Sequence, residues 1–386
     1  MIIGVPKEIL KAERRVAALP TEVAEYVKLG YTVLVETGAG VGSLASDDEY
    51  AAAGAEIVAT AQEVFDRADI IIKVKQPHMN EVTGKDESEM IREGGKLITF
   101  LHPATPDNHY FVKNLAARNI ESFTMDGIPR ISRAQAMDCL TSMSTITGYK
   151  AVIIAANLMP RFIPMVGTAI GATRPAKVLV VGAGVVGLQA VATAKRLGAI
   201  VTAWDIRADA REQAASLGAK IGGFEVPDEV AIAEGGYAKL LTGEWLAKEQ
   251  EAIAPLVAES DIVILSALVP GEVAPTIVTK EMVESMKPGS IIVDVSIDQG
   301  GNCEVTVPGE QSVYDDVTIY GILNIPGSMP VDASWMYSKN MLAYIKNLFK
   351  NGIDAAPDYE DEIVAASLVT KDGEIVHAGT QHAMGL

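Results

Sequence analysis

The stretch Ala176–Leu188, AKVLVVGAGVVGL, limits what this chain can fold into more than any other part of it. A Val/Leu run of strand length stops at Gly182-Ala183-Gly184-Val185-Val186-Gly187, and a helical pattern continues through Lys195. Each glycine has its own task in such a turn. Gly182 permits the tight turn, Gly184 lets the backbone approach a pyrophosphate, and Gly187 lets the helix pack against the strand. The helix N-terminus aims N–H groups at the phosphates. A GxGxxG motif alone is weak evidence. Here a strand precedes it, a helix follows, and a second strand, Ile200–Trp204, ends in Asp205 about twenty residues on. That context reads as a dinucleotide site. Asp205 is expected to bind the adenosine ribose hydroxyls and to repel a 2′-phosphate, which favours NAD(H) over NADP(H). Ile206 and Arg207 follow at the same strand end, and Arg207 is chemically able to take a phosphate.

Around this unit the chain reads as α/β throughout. Met1–Pro6, Tyr31–Glu36, Asp69–Val74 and Lys96–Leu101 are apolar runs of strand length, and Pro20–Leu29 is a helix between the first two. From Ser132 to Asn157 Ala, Met, Leu and Ile recur at helical steps without proline, as expected of a long helix connecting two domains. Lys177–Val181, Ile200–Trp204, Asp261–Leu265 and Ser290–Val295 look like buried parallel strands. The tail is helical from Asp332 to Lys350, and Pro357–His377 reads as an acidic loop and a hairpin turning at Asp372–Gly373. The expectation is two Rossmann-like α/β domains with parallel sheets and a cleft between them. The first is discontinuous, 1–139 with 330–386, and is the catalytic or substrate-type domain. The second, 140–329, holds the cofactor.

A formal net charge of −18 argues against nucleic acid and anionic membrane as partners. No run approaches the roughly 18 consecutive apolar residues of a bilayer span, and MIIGVPKEIL lacks the features of a signal peptide. Cys139 and Cys303 form neither a disulfide framework nor a metal spacing, so no metal is expected. A cytoplasmic location is the default expectation.

Several segments together resemble the alanine dehydrogenase and transhydrogenase superfamily, most closely the NAD(H)-binding alpha subunit of proton-translocating NAD(P) transhydrogenase. The resemblance covers essentially the whole chain. VPKE, RRVAALP, VETGAGVGSLASDDEY, the GAGVVGLQAVATAKRLGA unit, ALVPGEVAP and MKPGSIIVDV are similar to both branches. PRISRAQAMDCLTSM, the loop Gly235-Gly236-Tyr237-Ala238-Lys239 and the tail DEIVAASLVTKDGEIVH look like the transhydrogenase branch. The resemblance implies that Arg130, Gln135, Asp138 and Thr141 sit beside the nicotinamide and face an NADP(H)-binding component. Tyr237 would close over NAD(H), and Ala267 and Leu268 would line its site. It also implies partner subunits carrying the NADP(H) site and the membrane span, a place at the periphery of the inner membrane, and a homodimer, with a hexamer as the alternative.

Four further residues look like the alanine dehydrogenase branch: Arg15 in ERRVA, Lys75 in IIKVKQP, His102 in FLHP and Asp298 in SIDQGG, with Asn324 in LNIPG beside them. Their presence departs from the transhydrogenase pattern. As a set they suit oxidation of an amino or hydroxy acid. Arg15 would hold a carboxylate, Lys75 polarise a carbonyl, His102 carry the proton, and Asp298 bind an ammonium or a water. Each also has a structural alternative: an ion pair for Arg15, a solvated strand end for Lys75, packing for His102, the Gly300–Gly301 turn for Asp298. Direct transhydrogenation needs none of the four, because no substrate proton moves. A transhydrogenase subunit, a stand-alone dehydrogenase and a non-catalytic NAD(H)-binding module on the same fold therefore all remain open at the level of sequence.

Overall fold

Short Val/Ile runs without polar alternation have no solvent face to offer, so they pair side by side under helices. A computed structural model describes residues 1–223, 225–232, 238–269 and 273–386. It separates into two compact units, Met1–Met143 with Gly327–Leu386, and Ser144–Pro326.

In the first unit β1 (Ile2–Val5), β2 (Thr32–Glu36), β3 (Glu56–Val58), β4 (Ile70–Ile72), β5 (Lys96–Thr99) and β6 (Glu121–Thr124) pair in parallel. Their spatial order is β3-β2-β1-β4-β5-β6. The tail adds Leu368–Lys371, antiparallel to β6, and then Glu374–Ile375. The hairpin turns where expected: Asp372 and Gly373 stand at φ 51° and 82°, both in the left-handed region that matches strand twist. A short helix, Glu362–Ser367, precedes the hairpin, and Asp361 caps it by accepting from the Ile363 amide at 3.0 Å. The helix Pro330–Leu348 buries Tyr337, Met341, Tyr344 and Ile345 in this unit.

The single helix expected over 132–157 is two elements. Ser132–Met137 is a 3-10 helix, and the α-helix begins at Cys139 and ends at Leu158. Ala134 and Met137 are buried three residues apart, the period of a 3-10 turn. Asp138 then breaks the run, because its carboxylate accepts from the Thr141 amide at 2.8 Å and hydroxyl at 2.7 Å and so starts the next helix. Cys139–Leu158 is long and apolar enough, by composition, to cross a membrane. Its Ala151, Val152 and Ala155 are instead buried in the core of the second unit.

In the second unit β7 (Lys177–Val181), β8 (Ile200–Trp204), β9 (Lys220–Ile221), β10 (Ile262–Leu265), β11 (Ile291–Asp294), β12 (Gln311–Tyr314) and β13 (Val317–Tyr320) take the order β9-β8-β7-β10-β11-β13-β12. All pair in parallel except the edge strand β12. Alternate residues of β7 feed opposite faces. Val178 and Val180 pack with Ala190 and Ala194, and Leu179 and Val181 with Ile253 and Val257. Both sheets thus reverse direction beside their first strand, at β1/β4 and at β7/β10. Crevices form at such a point, outside the carboxyl ends of the strands.

Candidate functional site

At the β7/β10 crevice the glycine turn has the geometry its sequence implies. Gly182 stands at φ 86°, and a Cβ there would meet the Ser266 carbonyl at 2.7 Å. A Cβ on Gly187 would lie 1.8 Å from the Gly182 carbonyl oxygen, so only glycine lets the helix Val185–Arg196 approach β7 this closely. A Cβ on Gly184, the residue that starts this helix, would meet nothing within 4 Å. The protein therefore leaves the Gly184 backbone open beside the helix N-terminus, whose first amides lack intrahelical partners. Ala183, Val185 and Val186 complete the turn. Asp205 ends β8 and is 8% exposed. Its Oδ2 accepts from the Ala183 amide at 2.7 Å, which ties the turn to the neighbouring strand. Arg207 lies across the same carboxylate, with its amide 2.8 Å and its Nε 3.2 Å from Oδ1. Ile206 is half-buried, and its carbonyl and that of Asp205 accept from Arg211.

Beyond β10, Ala267 is gripped like a residue in a strand: Asn302 accepts from its amide at 3.0 Å and donates to its carbonyl at 2.9 Å. Asn302 is held in turn by the buried Asp294, which takes the Asn302 and Cys303 amides and the Thr306 hydroxyl. Burial raises the Asp294 carboxyl above its ordinary range, and these hydrogen bonds oppose the shift without cancelling it. Leu268 is half-buried beside Ala267. Asp298 is exposed on the 3-10 turn Val295–Gln299, and the carboxylate that holds the backbone just after Gly300–Gly301 is Asp294, the aspartate of the MKPGSIIVDV segment. Tyr237 lies outside the described residues. One more unexpected group is Glu249, which accepts from the Trp204 indole at 2.9 Å; burial pushes its carboxyl up to about 7.

The first unit gathers a second polar set at the ends of β1, β4, β5 and β6. Arg15 and Glu13 are both buried, and Glu13 takes the Nε and Nη2 edge of the guanidinium at 2.8 and 2.5 Å. The Arg15 Nη1 faces the Met143 sulfur at 3.1 Å. The edge best suited to a bidentate substrate carboxylate is thus engaged by Glu13. Lys75 is half-buried; its carbonyl accepts from Thr99 and its amide lies 3.4 Å from Glu8 Oε1. Lys73, two residues before it, is 1% exposed between Glu8 at 3.3 Å and Glu87 at 3.1 Å. Burial works against the Lys73 charge, but the two carboxylates hold its ammonium above the ordinary lysine range. Burial pushes Glu87 up to about 7 despite Lys73.

His102 stands at φ 45° after β5. Its Nδ1 is 2.9 Å from Asp126 Oδ1, its amide donates to Asp126 Oδ2 at 2.8 Å, and its ring stacks on Phe100. Burial disfavours the Asp126 charge, yet His102 and the Thr124 hydroxyl hold the carboxyl below its ordinary range. Asp126 was legible only as the polar residue just past an apolar run, FTMD, at a strand end.

Of the segment 129–141, Arg130, Gln135 and Thr141 are exposed, whereas Ala134, Met137 and Cys139 are buried. Asp138 caps the following helix. Arg133 binds Asp361 at 2.9 Å and Glu362, which joins this segment to the tail. Arg15, Lys75, His102, Arg130, Gln135, Asp138 and Thr141 thus belong to the first unit, and the glycine turn, Asp205, Arg207, Ala267, Leu268 and Asp298 to the second.

Comparison with known proteins follows this division. Residues 4–147 match the family described as alanine dehydrogenase/PNT, N-terminal domain, and 151–378 its C-terminal domain. The chain belongs to the alanine dehydrogenase/PNT family. Within it, the chain is 45% identical over 98% of its length to an NAD(P) transhydrogenase subunit alpha protein of Rhodospirillum rubrum, of which it covers 98%. It is 34% identical over its full length to alanine dehydrogenase of Bacillus subtilis, covering 95% of that protein. Among solved structures, a transhydrogenase from Sinorhizobium meliloti superposes with a TM-score of 0.84 at 40% identity over 97% of this chain and all of that one. An L-alanine dehydrogenase gives 0.81 at 30% identity over 100% and 99%. Membership in the alanine dehydrogenase/PNT family makes the chain an oxidoreductase that uses a nicotinamide dinucleotide, and the open turn at Gly184 fits such a group.

Proposed function

We propose that this chain is the NAD(H)-binding alpha subunit of an NAD(P) transhydrogenase, passing hydride between NAD(H) on its second unit and NADP(H) on a partner subunit. The observation that carries this reading is the open Gly184 turn with Asp205 at the next strand end, on a chain 45% identical throughout to a transhydrogenase subunit alpha protein. The cofactor, when bound, supplies the hydride chemistry. The chain's own residues bind and orient it. The helix N-terminus at Val185 and Val186 holds the pyrophosphate, and Asp205 takes ribose hydroxyls in exchange for part of its contact with Arg207. That carboxylate favours NAD(H) over NADP(H). Asn302 keeps Ala267 and Leu268 in place along the site. Exposed Arg130, Gln135 and Thr141, with Asp138 and Tyr237, meet the partner and exclude water. Position is the main requirement when one nicotinamide reduces another. The partners are an NADP(H)-binding subunit and a membrane-spanning translocase subunit, so the chain works at the periphery of the inner membrane, as a homodimer.

The test mixes the purified chain with the NADP(H)-binding component of a transhydrogenase, NADPH and acetylpyridine adenine dinucleotide. Analogue reduction that requires both proteins is the expected result. A chain that binds NADH yet never supports this transfer refutes the proposal.

A second reading, an NAD-dependent amino-acid or oxo-acid dehydrogenase, is favoured by one arrangement. Arg15, Lys75 and His102 follow β1, β4 and β5 of one sheet, and His102 is backed by a buried carboxylate. NADH consumption with pyruvate and ammonium, abolished in His102→Ala, would establish it.

A further inference from the structure

We propose that Asn302 is the positioning residue for the nicotinamide half of the cofactor site, fixing the backbone at Ala267 and Pro275 before the cofactor arrives. This rests on the reading that NAD(H) binds at the glycine turn, and it serves transhydrogenation and amino-acid oxidation alike. In a sheet of this kind a dinucleotide lies across the carboxyl ends of the strands. Asp205 follows β8 and the glycine turn follows β7, so adenosine and pyrophosphate take those two places. The other half runs on over β10 and β11, the next strands in spatial order. Ala267 lies just past the end of β10, and Asp294 ends β11.

Asn302 is fully buried and spends its whole amide group on backbone. Its Nδ2 donates to the carbonyls of Ala267 at 2.9 Å and Pro275 at 2.8 Å, and its Oδ1 accepts the Ala267 amide at 3.0 Å. One side chain thus ties together the two bases of the segment 268–274. Only a group that carries donors and an acceptor in one plane makes all three bonds. Asn302 is itself held from both sides. Asp294, also fully buried, accepts its backbone amide at 2.9 Å, and its carbonyl accepts the Ile277 and Val278 amides, each at 2.9 Å. A Cβ on Gly301 would lie 2.9 Å from Asp294 Oδ2, so glycine there lets the carboxylate come this close. On the far side of Ala267, the Ser266 hydroxyl donates to the Gly182 carbonyl at 2.8 Å. The backbone at 266–267 is therefore fixed against the glycine turn on one side and against the end of β11 on the other. Asn302 occupies both the amide and the carbonyl of Ala267, so the cofactor takes neither and meets a wall set in advance. A site ordered beforehand loses less entropy on binding.

Asn302→Asp tests this with little change of shape. It keeps an acceptor for the Ala267 amide but sets an oxygen against the carbonyls of Ala267 and Pro275. Calorimetric titration of the full chain with NADH and with ADP-ribose, which lacks the nicotinamide, separates the two halves of the site. The wild type should bind NADH more tightly than ADP-ribose. Asn302→Asp should weaken NADH by about 10-fold and leave ADP-ribose within about twofold of the wild type. Equal weakening of both ligands means general damage to the unit, and weakening of neither means that the tie is dispensable; each overturns the positioning role.

Amide hydrogen exchange of the wild type without ligand requires no variant to fold. The Ala267 amide should exchange as slowly as those of Ile264 and Leu265 in β10. Exchange at the rate of an exposed amide overturns the proposal. A wild type that protects Ala267 yet binds neither ligand refutes the cofactor reading and the positioning role with it, a result distinct from a loss confined to NADH.

Discussion

Two neighbouring glycines of one turn should respond to the same mutation in opposite ways. In Gly187→Ala the new methyl would lie 1.8 Å from the Gly182 carbonyl oxygen. An ordinary carbon–oxygen contact lies beyond 3 Å, so the helix Val185–Arg196 must retreat from β7 by more than 1 Å. Overpacking of that kind costs about 3 kcal/mol, which lowers the melting temperature of a unit this size by roughly 6–12 °C. In Gly184→Ala the methyl meets nothing within 4 Å, and the backbone at φ −73°, ψ −165° suits an L-residue. Stability should therefore shift by less than about 0.5 kcal/mol. The methyl instead fills the approach to the open backbone and helix N-terminus. Displacing a bound pyrophosphate by one methyl forfeits one charge-assisted hydrogen bond, worth about 1.5–3 kcal/mol, so NADH should bind about 10- to 100-fold more weakly. Thermal melts and NADH fluorescence titrations on the two variants measure both quantities. Wild-type NADH affinity in Gly184→Ala would refute the assignment of this turn as the pyrophosphate site, whatever Gly187→Ala does.

Other expectations concern single side chains. Asp205→Asn should weaken NADH about tenfold and narrow its preference over NADPH, because the charge that repels a 2′-phosphate is gone; titration with both cofactors gives the ratio. Lys73→Met leaves Glu8 and Glu87 buried without their shared cation, and should cost about 3–5 kcal/mol in urea unfolding. A variant as stable as the wild type would mean that the cluster is not charged. Glu249 has a folded-state carboxyl raised to about 7 from 4.5. The ionised form is therefore disfavoured on folding: stability is highest below the unfolded value and falls by about 3 kcal/mol as pH rises from 4.5 towards 7. Glu249→Gln, whose carbonyl still accepts from Trp204, should flatten that fall, which urea melts at pH 5 and pH 8 would show.

What could be read before folding was whatever depends on near neighbours in the chain. The strands Ile2–Val5, Lys177–Val181 and Ile200–Trp204 announce themselves as Val/Ile runs, and the Asp372–Gly373 hairpin by a dipeptide that suits two left-handed residues. The glycine turn and Asp205 are legible for the same reason. Each residue type answers a local backbone or charge requirement, and the spacing is set by one strand–helix–strand step. The break at Asp138 was hidden because Ala134 and Met137 continue a pattern compatible with both the three-residue and the 3.6-residue period. Only the capping geometry at Thr141 decides between them.

Partnerships across the sheet belong to the tertiary structure alone. Glu8, Lys73 and Glu87 are far apart in sequence, and nothing local marks a charged residue as buried; its low exposure follows from which strands pair. Asp126 lies beside His102 because parallel pairing of β5 with β6 sets two consecutive strand ends side by side, with His102 beyond one and the carboxylate beyond the other. The sequence by itself determined the two α/β units and the glycine turn after β7, because those rest on periodicity and turn chemistry. Which charges neutralise one another, as Lys73 does with Glu8 and Glu87, was decided by strand order, since long-range pairing brings together groups that local sequence cannot associate.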